Sequence, residues 1–82
     1  MADTAAIQEM IATLARGLVE SPDEVKVDAR ADGDRVVFEL FVPDGQRGQV
    51  IGRGGRIAYA LRAVTQAAGR SQGTRATLDI VD

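Results

Sequence analysis

A glycine-rich turn between an apolar couple and an amphipathic stretch constrains this 82-residue chain more than any other feature. The turn, called here the glycine loop (residues 52–55), has the spacing G-x-x-G from Gly52 to Gly55, with a further glycine at Gly54. Glycine adopts positive φ and has no Cβ, so the backbone can bend sharply and a ligand can approach its N–H groups. A helix starting directly after the loop would present unpaired N–H groups and partial positive charge. The sequence therefore predicts an anion site.

Arginines surround the glycine loop. Arg53 lies within it, Arg56 follows it and Arg47 precedes it. A guanidinium group pairs with two phosphate oxygens at once and stays charged at any working pH. Phosphate is therefore the predicted anion, and the alternative is that the loop is only a tight connection between helices.

Other phosphate-binding motifs do not fit. A Walker A loop needs Lys and then Ser or Thr after its last glycine, where this chain has Arg56 and Ile57. A dinucleotide fingerprint beginning at Gly52 would need a glycine where Ile57 stands. A second G-x-x-G, from Gly45 to Gly48, precedes a polar glutamine instead of an amphipathic helix, so it ranks below the glycine loop.

The first segment has helical periodicity, which predicts a helix over residues 4–19. Asp3 or Thr4 can cap its start, and Pro22 disfavours helical geometry at the residue before it, so the helix should stop near Glu20. The predicted core face consists of Ile7, Ile11, Leu14 and Leu18, with Met10 and Ala15 beside it.

Alternating residues then predict a hairpin. Residues 24–30 form a half-buried strand, residues 31–34 supply turn chemistry, and residues 35–42 form a strand that is apolar on both faces and hence central. The inward residues are Val25, Val27 and Ala29 in the first strand and Val36, Phe38, Leu40 and Val42 in the second, with Val37 and Phe41 on the opposite face.

The second half of the chain predicts two helices and a strand. Asp44 is placed to cap a short helix at residues 45–51, and a second helix follows the glycine loop and ends at Gly69. Residues 75–81 alternate as a last strand, and the helix pair is the crossover that lays it parallel to the central strand. The predicted inward residues are Ile57, Leu61, Val64 and Ala68, with Ala60 and Ala67 at the edges, and Ala76, Leu78 and Ile80 in the strand.

Charge is segregated along the chain. Residues 45–78 contain six arginines and no acidic residue, whereas the remainder holds four cations and twelve carboxylates, so that the net charge is −2. Phosphates sense charges only within about 10 Å, so the local excess matters more than the acidic total. The alternative is a charge run on a solvated face.

Composition limits the function classes. The chain has no cysteine and no histidine, which removes disulfides, thiolate metal sites and the usual catalytic base. No apolar run approaches the length of a membrane span, and the acidic start does not have the pattern of a secretory signal. We expect one cytoplasmic, non-enzymatic domain covering residues 1–82, with no cofactor and no metal.

The loop and the order of elements, α-β-β-α-α-β, resemble a KH domain, and the length resembles the small single-domain bacterial KH proteins of the KhpA type. The residues that carry the resemblance run Val50-Ile51-Gly52-Arg53-Gly54-Gly55. It implies an α+β fold, a single type II KH domain with a three-stranded mixed sheet and helices on one face. Arg53 and Gly54 depart from the family pattern, which usually has Lys and a polar residue there.

The resemblance implies a single-stranded RNA-binding protein of the RNA chaperone or post-transcriptional regulator type. KH loops clamp about four nucleotides by their backbone. Bases would lie in an apolar groove beside the central strand. RNA is preferred over DNA only on the resemblance, because nothing in the sequence reads a 2′-hydroxyl. The expected RNA-binding residues are Gly52, Arg53, Gly54, Gly55, Arg56, Arg47 and Ile51.

The alternative function is protein–protein interaction. Tyr59, Ala63 and Gln66 fall opposite the predicted core stripe of the last helix and form a possible dimer contact. Tyr59 is equally consistent with an ordinary half-exposed tyrosine. The resemblance implies pairing with a second copy or with a larger KH-containing protein of the Jag (KhpB) type.

Overall fold

The computed structural model describes residues 3–81, along which three helices and three strands follow the predicted order. Two single-turn 3₁₀ segments, Pro22–Glu24 and Arg53–Gly55, lie between them. The elements are α1 (Thr4–Arg16), β1 (Lys26–Asp32), β2 (Arg35–Phe41), α2 (Arg47–Ile51), α3 (Arg56–Ser71) and β3 (Arg75–Val81).

The strands form one mixed sheet in the order β1-β2-β3. β1 and β2 are antiparallel, β2 and β3 are parallel, and α2 with α3 supplies the crossover that a parallel pair requires. Phe38 of β2 has Ala29 of β1 on one side and Leu78 of β3 on the other, so β2 is central, as its two apolar faces predicted. The fold is the predicted α+β type II KH arrangement, with the helices on one face of the sheet.

The core lies between the sheet and the helices. Phe38 and Leu40 of β2 are 0% exposed, and Ile11 of α1 is 1% exposed. Complete burial of a side chain such as Phe38 contributes about 2–3 kcal/mol. Thr65 of α3 is also buried, and its hydroxyl donates to the Leu61 carbonyl oxygen at 2.8 Å, so its polar group is paired within the helix.

α1 is capped as predicted and ends early. The Asp3 side chain accepts a hydrogen bond from the Ala6 N–H at 3.0 Å. The helix ends at Arg16 instead of residue 19, and the Leu18 N–H bonds to the carbonyl oxygen of Ala15, three residues back. Gly17 occupies the position after the last helical residue, and glycine disfavours continuation of a helix because it loses the most backbone entropy there.

For three residues the predicted position in the core is wrong. Leu14 is 41% exposed, Leu18 36% and Val64 41%, and Ala60 and Ala67 are exposed as well. Both helices turn small residues toward the sheet instead, and small side chains allow a helix to approach closely. The buried residues are Ile7, Ile11, Ala12 and Ala15 in α1 and Ala58, Leu61, Thr65 and Gly69 in α3.

α3 runs for 16 residues to Ser71 and does not end at Gly69. A Cβ atom at Gly69 would lie 2.7 Å from the Ala76 Cβ and 3.1 Å from the Thr74 carbonyl oxygen. Gly69 therefore serves the close contact between α3 and β3 and is not a helix terminator. Within residues 3–81, no helix combines the length and apolar character needed to cross a bilayer.

The hairpin is displaced from its predicted position. β1 covers Lys26–Asp32 and pairs Asp32 with Arg35, which leaves a two-residue turn. Ala29, predicted to face inward, is exposed. Ala29 is exposed because α1 covers β1 only near Val27, and the strand extends beyond the end of that contact.

α2 begins at Arg47, so Asp44 is not its cap. Gln46 precedes the helix, and its side chain is turned away to the connection after α1. There its Oε1 atom accepts from the Glu20 and Ser21 N–H groups at 2.9 Å each. By accepting from two backbone donors, Gln46 links the connection after α1 to the start of α2. This short helix leads directly into the glycine loop.

Candidate nucleic-acid interface

The glycine loop has a backbone that only glycine adopts readily. Gly52 has φ 77° and ψ 171°, Gly54 has φ 64° and Gly55 has φ 76°. The Gly55 N–H closes the turn on the Gly52 carbonyl oxygen at 3.1 Å. Three positive φ angles in four residues explain why the loop needs its extra glycine as well as the two at its ends.

The three loop glycines differ in how much space surrounds them. A Cβ at Gly52 would lie 2.6 Å from Cγ1 of Ile57, so this glycine is required by the packing of the following helix. Cβ atoms at Gly54 and Gly55 would meet nothing within 4 Å. The outer half of the loop therefore exposes its backbone to whatever approaches it.

The start of α3 has the electrostatics of an anion site. Gly55 is the N-terminal cap in left-handed conformation, no side chain caps the helix, and its first turn contains no acidic residue. The positive end of a 16-residue helix thus begins where the open loop backbone ends, with the Arg56 N–H itself bonded to the Arg53 carbonyl oxygen.

Arg53 and Arg56 are exposed on either side of the open glycines. Neither arginine forms an ion pair or a hydrogen bond through its side chain with any residue in the range 3–81. Two guanidinium groups without a carboxylate partner beside open backbone N–H groups are suited to bind phosphate oxygens.

Arg47 has a different position from the one its sequence neighbourhood suggested. Its Nη2 atom donates to the Ile80 carbonyl oxygen at 3.3 Å, so the guanidinium lies at the end of β3. Arg62 of α3 acts similarly, and its Nε atom donates to the Leu78 carbonyl oxygen at 3.4 Å. Arg62 was not among the predicted RNA-binding residues, although it belongs to the acid-free segment 45–78, whose positive charge indicated an anionic partner.

These contacts describe the region beside the central strand, where the groove for the bases was predicted. β2 is hydrogen-bonded to a strand on both sides, and β3 is the strand that lies between it and this region. The carbonyl groups of Leu78 and Ile80 point outward, which makes the free edge of β3 the one beside α2 and α3. A strand laid against the helix pair would run along β3.

Ile51 is half-buried and packs against the core, while its neighbour Val50 is 0% exposed. The apolar couple before the glycine loop therefore anchors α2. Only Ile51 retains exposed surface for a ligand.

The predicted contact residues of α3 lie together on its outer surface. Tyr59 is 77% exposed, and Ala63 and Gln66 are exposed beside it. With Arg62 they line a shallow depression of about 190 Å³. We call this surface the α3 outer face (Tyr59, Ala63 and Gln66).

All six arginines of residues 45–78 are exposed. Arg75 forms an ion pair with Asp34 at 3.5 Å. Within residues 3–81 no group of three or more His, Cys, Asp or Glu side chains is arranged to hold a metal ion. The exposed arginines nearest the glycine loop, Arg53 and Arg56, are therefore available to an anionic partner.

The family model for the KH domain of KhpA and KhpB matches residues 8–80. The RNA-binding protein KhpA of Halalkalibacterium halodurans is 41% identical over 76 residues, which cover 93% of this chain and 100% of the relative. Proteins of the same name from Aquifex aeolicus and Mycobacterium tuberculosis are 39% identical over 77 residues (94% and 98% coverage) and 38% identical over 79 residues (96% and 95%). No solved structure matches the chain at a significant level.

Proposed function

The chain belongs to the KhpA/KhpB family of KH domains, and from this premise we propose that it binds single-stranded RNA by gripping the phosphate backbone with the glycine loop. The observation that carries the proposal is the combination of open, positive-φ backbone at Gly54 and Gly55 with two unpaired arginines. The relatives are named as RNA-binding proteins and not as enzymes, in line with a non-enzymatic binding role.

The division of labour in the glycine loop follows from its geometry. Gly52 lets the loop pack closely against Ile57, and the Gly54 N–H donates to one phosphate, which the positive start of α3 also attracts. Arg53 and Arg56 bind the flanking phosphates, and Arg47 and Ile51 assist from α2. About four nucleotides would be held, as in other KH domains.

The bases would lie along the free edge of β3, and their selection should be broad. Phe38 is buried, Phe41 lies under Lys26 of β1 and Tyr59 is on the α3 outer face, so none of the three offers a stacking platform beside the loop. Base–aromatic stacking is the usual source of strong single-strand binding, and without it the backbone contacts carry most of the affinity. Broad, weak binding suits an RNA chaperone or a post-transcriptional regulator, acting as one domain of residues 1–82 in the cytoplasm.

Equilibrium titration of short labelled RNAs at several salt concentrations tests this proposal. Single-stranded RNAs of unrelated sequence should bind with similar affinity, and the salt slope should be about −2 to −3, since each of three to four phosphates contributes about −0.7. Preference for duplex RNA, or binding that salt does not weaken, would contradict it. Single-stranded DNA of the same sequence measures how much the 2′-hydroxyl contributes.

A second function is favoured by the α3 outer face. Tyr59 offers a large exposed ring beside the small Ala63, a combination that allows close approach of another chain. The face would make this chain a homodimer or a partner subunit of a larger KH-containing protein of the Jag (KhpB) type.

Tyr59→Asp tests that second function. Two carboxylates facing each other across a two-fold contact should convert a dimer held by this face into a folded monomer. Sedimentation at high micromolar concentration measures the change, and Thr13→Asp, on the exposed part of α1, is the control that should leave association unchanged. Equal association of Tyr59→Asp and the wild type would remove the face from the contact.

A further inference from the structure

A cavity of about 280 Å³ lies where the end of α3 meets the start of β3, away from the glycine loop. Ala76 faces the helices, whereas Arg75 and Thr77 face the other side of the sheet, so a cavity lined by all three opens at the free edge of the strand. We call this cavity the distal pocket, and its lining residues are Gln66, Arg70, Thr74, Arg75, Ala76 and Thr77.

The lining of the distal pocket supplies hydrogen-bond donors for an anion. Arg70 and Arg75 bring two guanidinium groups to it, and Thr74 and Thr77 bring hydroxyl groups that can donate to an oxygen atom. None of its six lining residues is acidic. Guanidinium groups bind two phosphate oxygens at once, and hydroxyl groups are common donors to nucleic-acid phosphates. This set of donors is therefore suited to a phosphate group.

Both arginines of the distal pocket can turn toward a ligand. The Arg70 side chain is exposed and forms no hydrogen bond or ion pair with any residue in the described range 3–81. Arg75 pairs with Asp34 at 3.5 Å, but the two side chains are 73% and 80% exposed, and pairs of this kind contribute little to stability. Exchange of the Asp34 carboxylate for a phosphate therefore costs little.

One flank of α3 connects the distal pocket with the half of the helix that begins at the glycine loop. Arg62, Gln66 and Arg70 follow each other at intervals of four residues, so they share this flank. Arg62 donates to the Leu78 carbonyl oxygen, which places the flank over the free edge of β3. Gln66 lines both the distal pocket and the shallow depression that contains Arg62, so the two hollows are continuous.

The distal pocket is too far from the glycine loop to contact the same nucleotides. A helix rises about 1.5 Å per residue, so Arg70 lies about 21 Å along α3 from Arg56. Successive nucleotides of a stacked strand are about 3.4 Å apart, so this distance takes at most about six of them. An RNA that reaches both sites therefore needs at most about ten nucleotides, of which the loop holds about four.

We propose that the distal pocket binds a second phosphate segment of the same RNA strand, which runs from the glycine loop along the β3 flank of α3 to Arg70 and Arg75. This binding rests on the proposed function, because the glycine loop holds the first segment. The second contact extends the RNA footprint of the chain beyond the nucleotides at the loop. Unpaired RNA segments long enough to reach both sites would therefore be selected over shorter ones, whatever their sequence.

Paired titrations with a tetranucleotide and a decanucleotide of one repeated base test the proposal. With Arg70→Gln combined with Arg75→Gln, decamer affinity should fall roughly tenfold, and the salt slope should become shallower by about 1.4 for two lost phosphate contacts. Tetramer affinity should be nearly unchanged, because the glycine loop is intact. Arg16→Gln combined with Arg30→Gln is the matched control, which removes the same charge from exposed positions on α1 and on the opposite edge strand.

The length of the RNA needs its own correction. A decamer offers about seven registers to a site for four nucleotides, so binding about sevenfold tighter than that of the tetramer needs no second site. The wild type should exceed this factor, and the Arg70→Gln and Arg75→Gln double variant should fall to it. The proposal is overturned if the wild type does not exceed it, or if the double variant, with an unchanged circular dichroism spectrum, loses no more decamer affinity than the control. It is also overturned if tetramer and decamer affinities fall together.

A variant of the glycine loop separates failure of this proposal from failure of the proposed function. Arg53→Asp combined with Gly54→Asp should weaken binding of both the tetramer and the decamer. Undiminished binding of both RNAs would remove the loop as the phosphate clamp, and with it the route to the distal pocket. Weakened binding in this variant, together with equal losses in the distal variant and its control, would remove the distal pocket alone.

Discussion

Two glycines of this protein have nearly the same backbone and different surroundings. Gly33, in the β1–β2 turn, has φ 65° and Gly54, in the glycine loop, has φ 64°, and a Cβ at either position would meet nothing within 4 Å. Gly33 lies between Asp32 and Asp34, whose carboxylates are each 3.5 Å from an arginine nitrogen. Gly54 lies beside arginines that have no such partner and opens onto the start of α3.

The comparison teaches that glycine conformation alone does not make a phosphate site. Both turns expose their backbone, and both would tolerate only residues that adopt left-handed geometry. The glycine loop differs in having the positive end of α3 and two guanidinium groups without a carboxylate partner beside it, so the electrostatic potential is positive there and balanced at the hairpin. The predictions below separate these two contributions.

Reversing charge in the glycine loop should have the largest effect. Arg53→Asp combined with Gly54→Asp puts two carboxylates where phosphates must bind, and like charges brought together cost several kcal/mol. RNA affinity should fall roughly 100- to 1,000-fold, about 3–4 kcal/mol. The fold should persist, because Asp tolerates left-handed backbone better than most residues and is favourable at a helix start.

Arg16→Asp combined with Gly33→Asp is the matched control. It changes the net charge by the same amount and places Asp at a glycine of almost identical φ, far along the chain from the loop. Fluorescence anisotropy with labelled RNA should show a small loss for this control. An equal loss in both proteins would mean that net charge, and not the glycine loop, determines binding.

Gly52→Ala should produce a smaller effect, and on stability. Gly52 has a combination of φ and ψ that is nearly exclusive to glycine, and the new Cβ would overlap Ile57 at 2.6 Å. The free energy of unfolding should fall by about 2–3 kcal/mol, whereas Gly33→Ala should lower it by only about 1–2 kcal/mol. Urea denaturation compares the two, and similar losses would show that Ile57 yields to the new methyl group.

Arg56→Gln should have the smallest effect, on binding. It removes one cation and leaves the backbone donors of the loop and α3 in place, so affinity should decrease evenly across RNA sequences. The salt slope should become shallower by about 0.7. Arg35→Gln, beside the hairpin turn, should leave the slope unchanged, and an unchanged slope for Arg56→Gln would remove it from the phosphate contacts.

Sequence patterns predicted the order of elements, the central position of β2 and the conformation of the glycine loop. These features depend on local chemistry. Alternation identifies strands, and a cluster of glycines before an amphipathic stretch identifies a turn that opens a helix. The capping role of Asp3 followed from the same kind of short-range pattern.

Features that depend on tertiary packing were not predictable in this way. Gly69 looks like a helix terminator, but β3 approaches so closely that only glycine fits. Val64 has the spacing of a core residue, yet α3 turns Ala58 and Thr65 inward in its place. Arg47 stands close to the loop in sequence, while its guanidinium reaches the end of β3, a contact that requires knowing where β3 lies.

The most direct test of the glycine loop as phosphate clamp is NMR titration of the isotope-labelled wild-type protein with short single-stranded RNA. The amide signals of Gly54, Gly55 and Arg56 should shift progressively, because the Gly54 N–H gains a phosphate acceptor and the next two N–H groups, which bond to the Gly52 and Arg53 carbonyl oxygens, lie beside it. The amide of Gly33 should not move, despite its nearly identical φ. Shifts at the hairpin or the α3 outer face, with unchanged signals from the loop, would contradict the account.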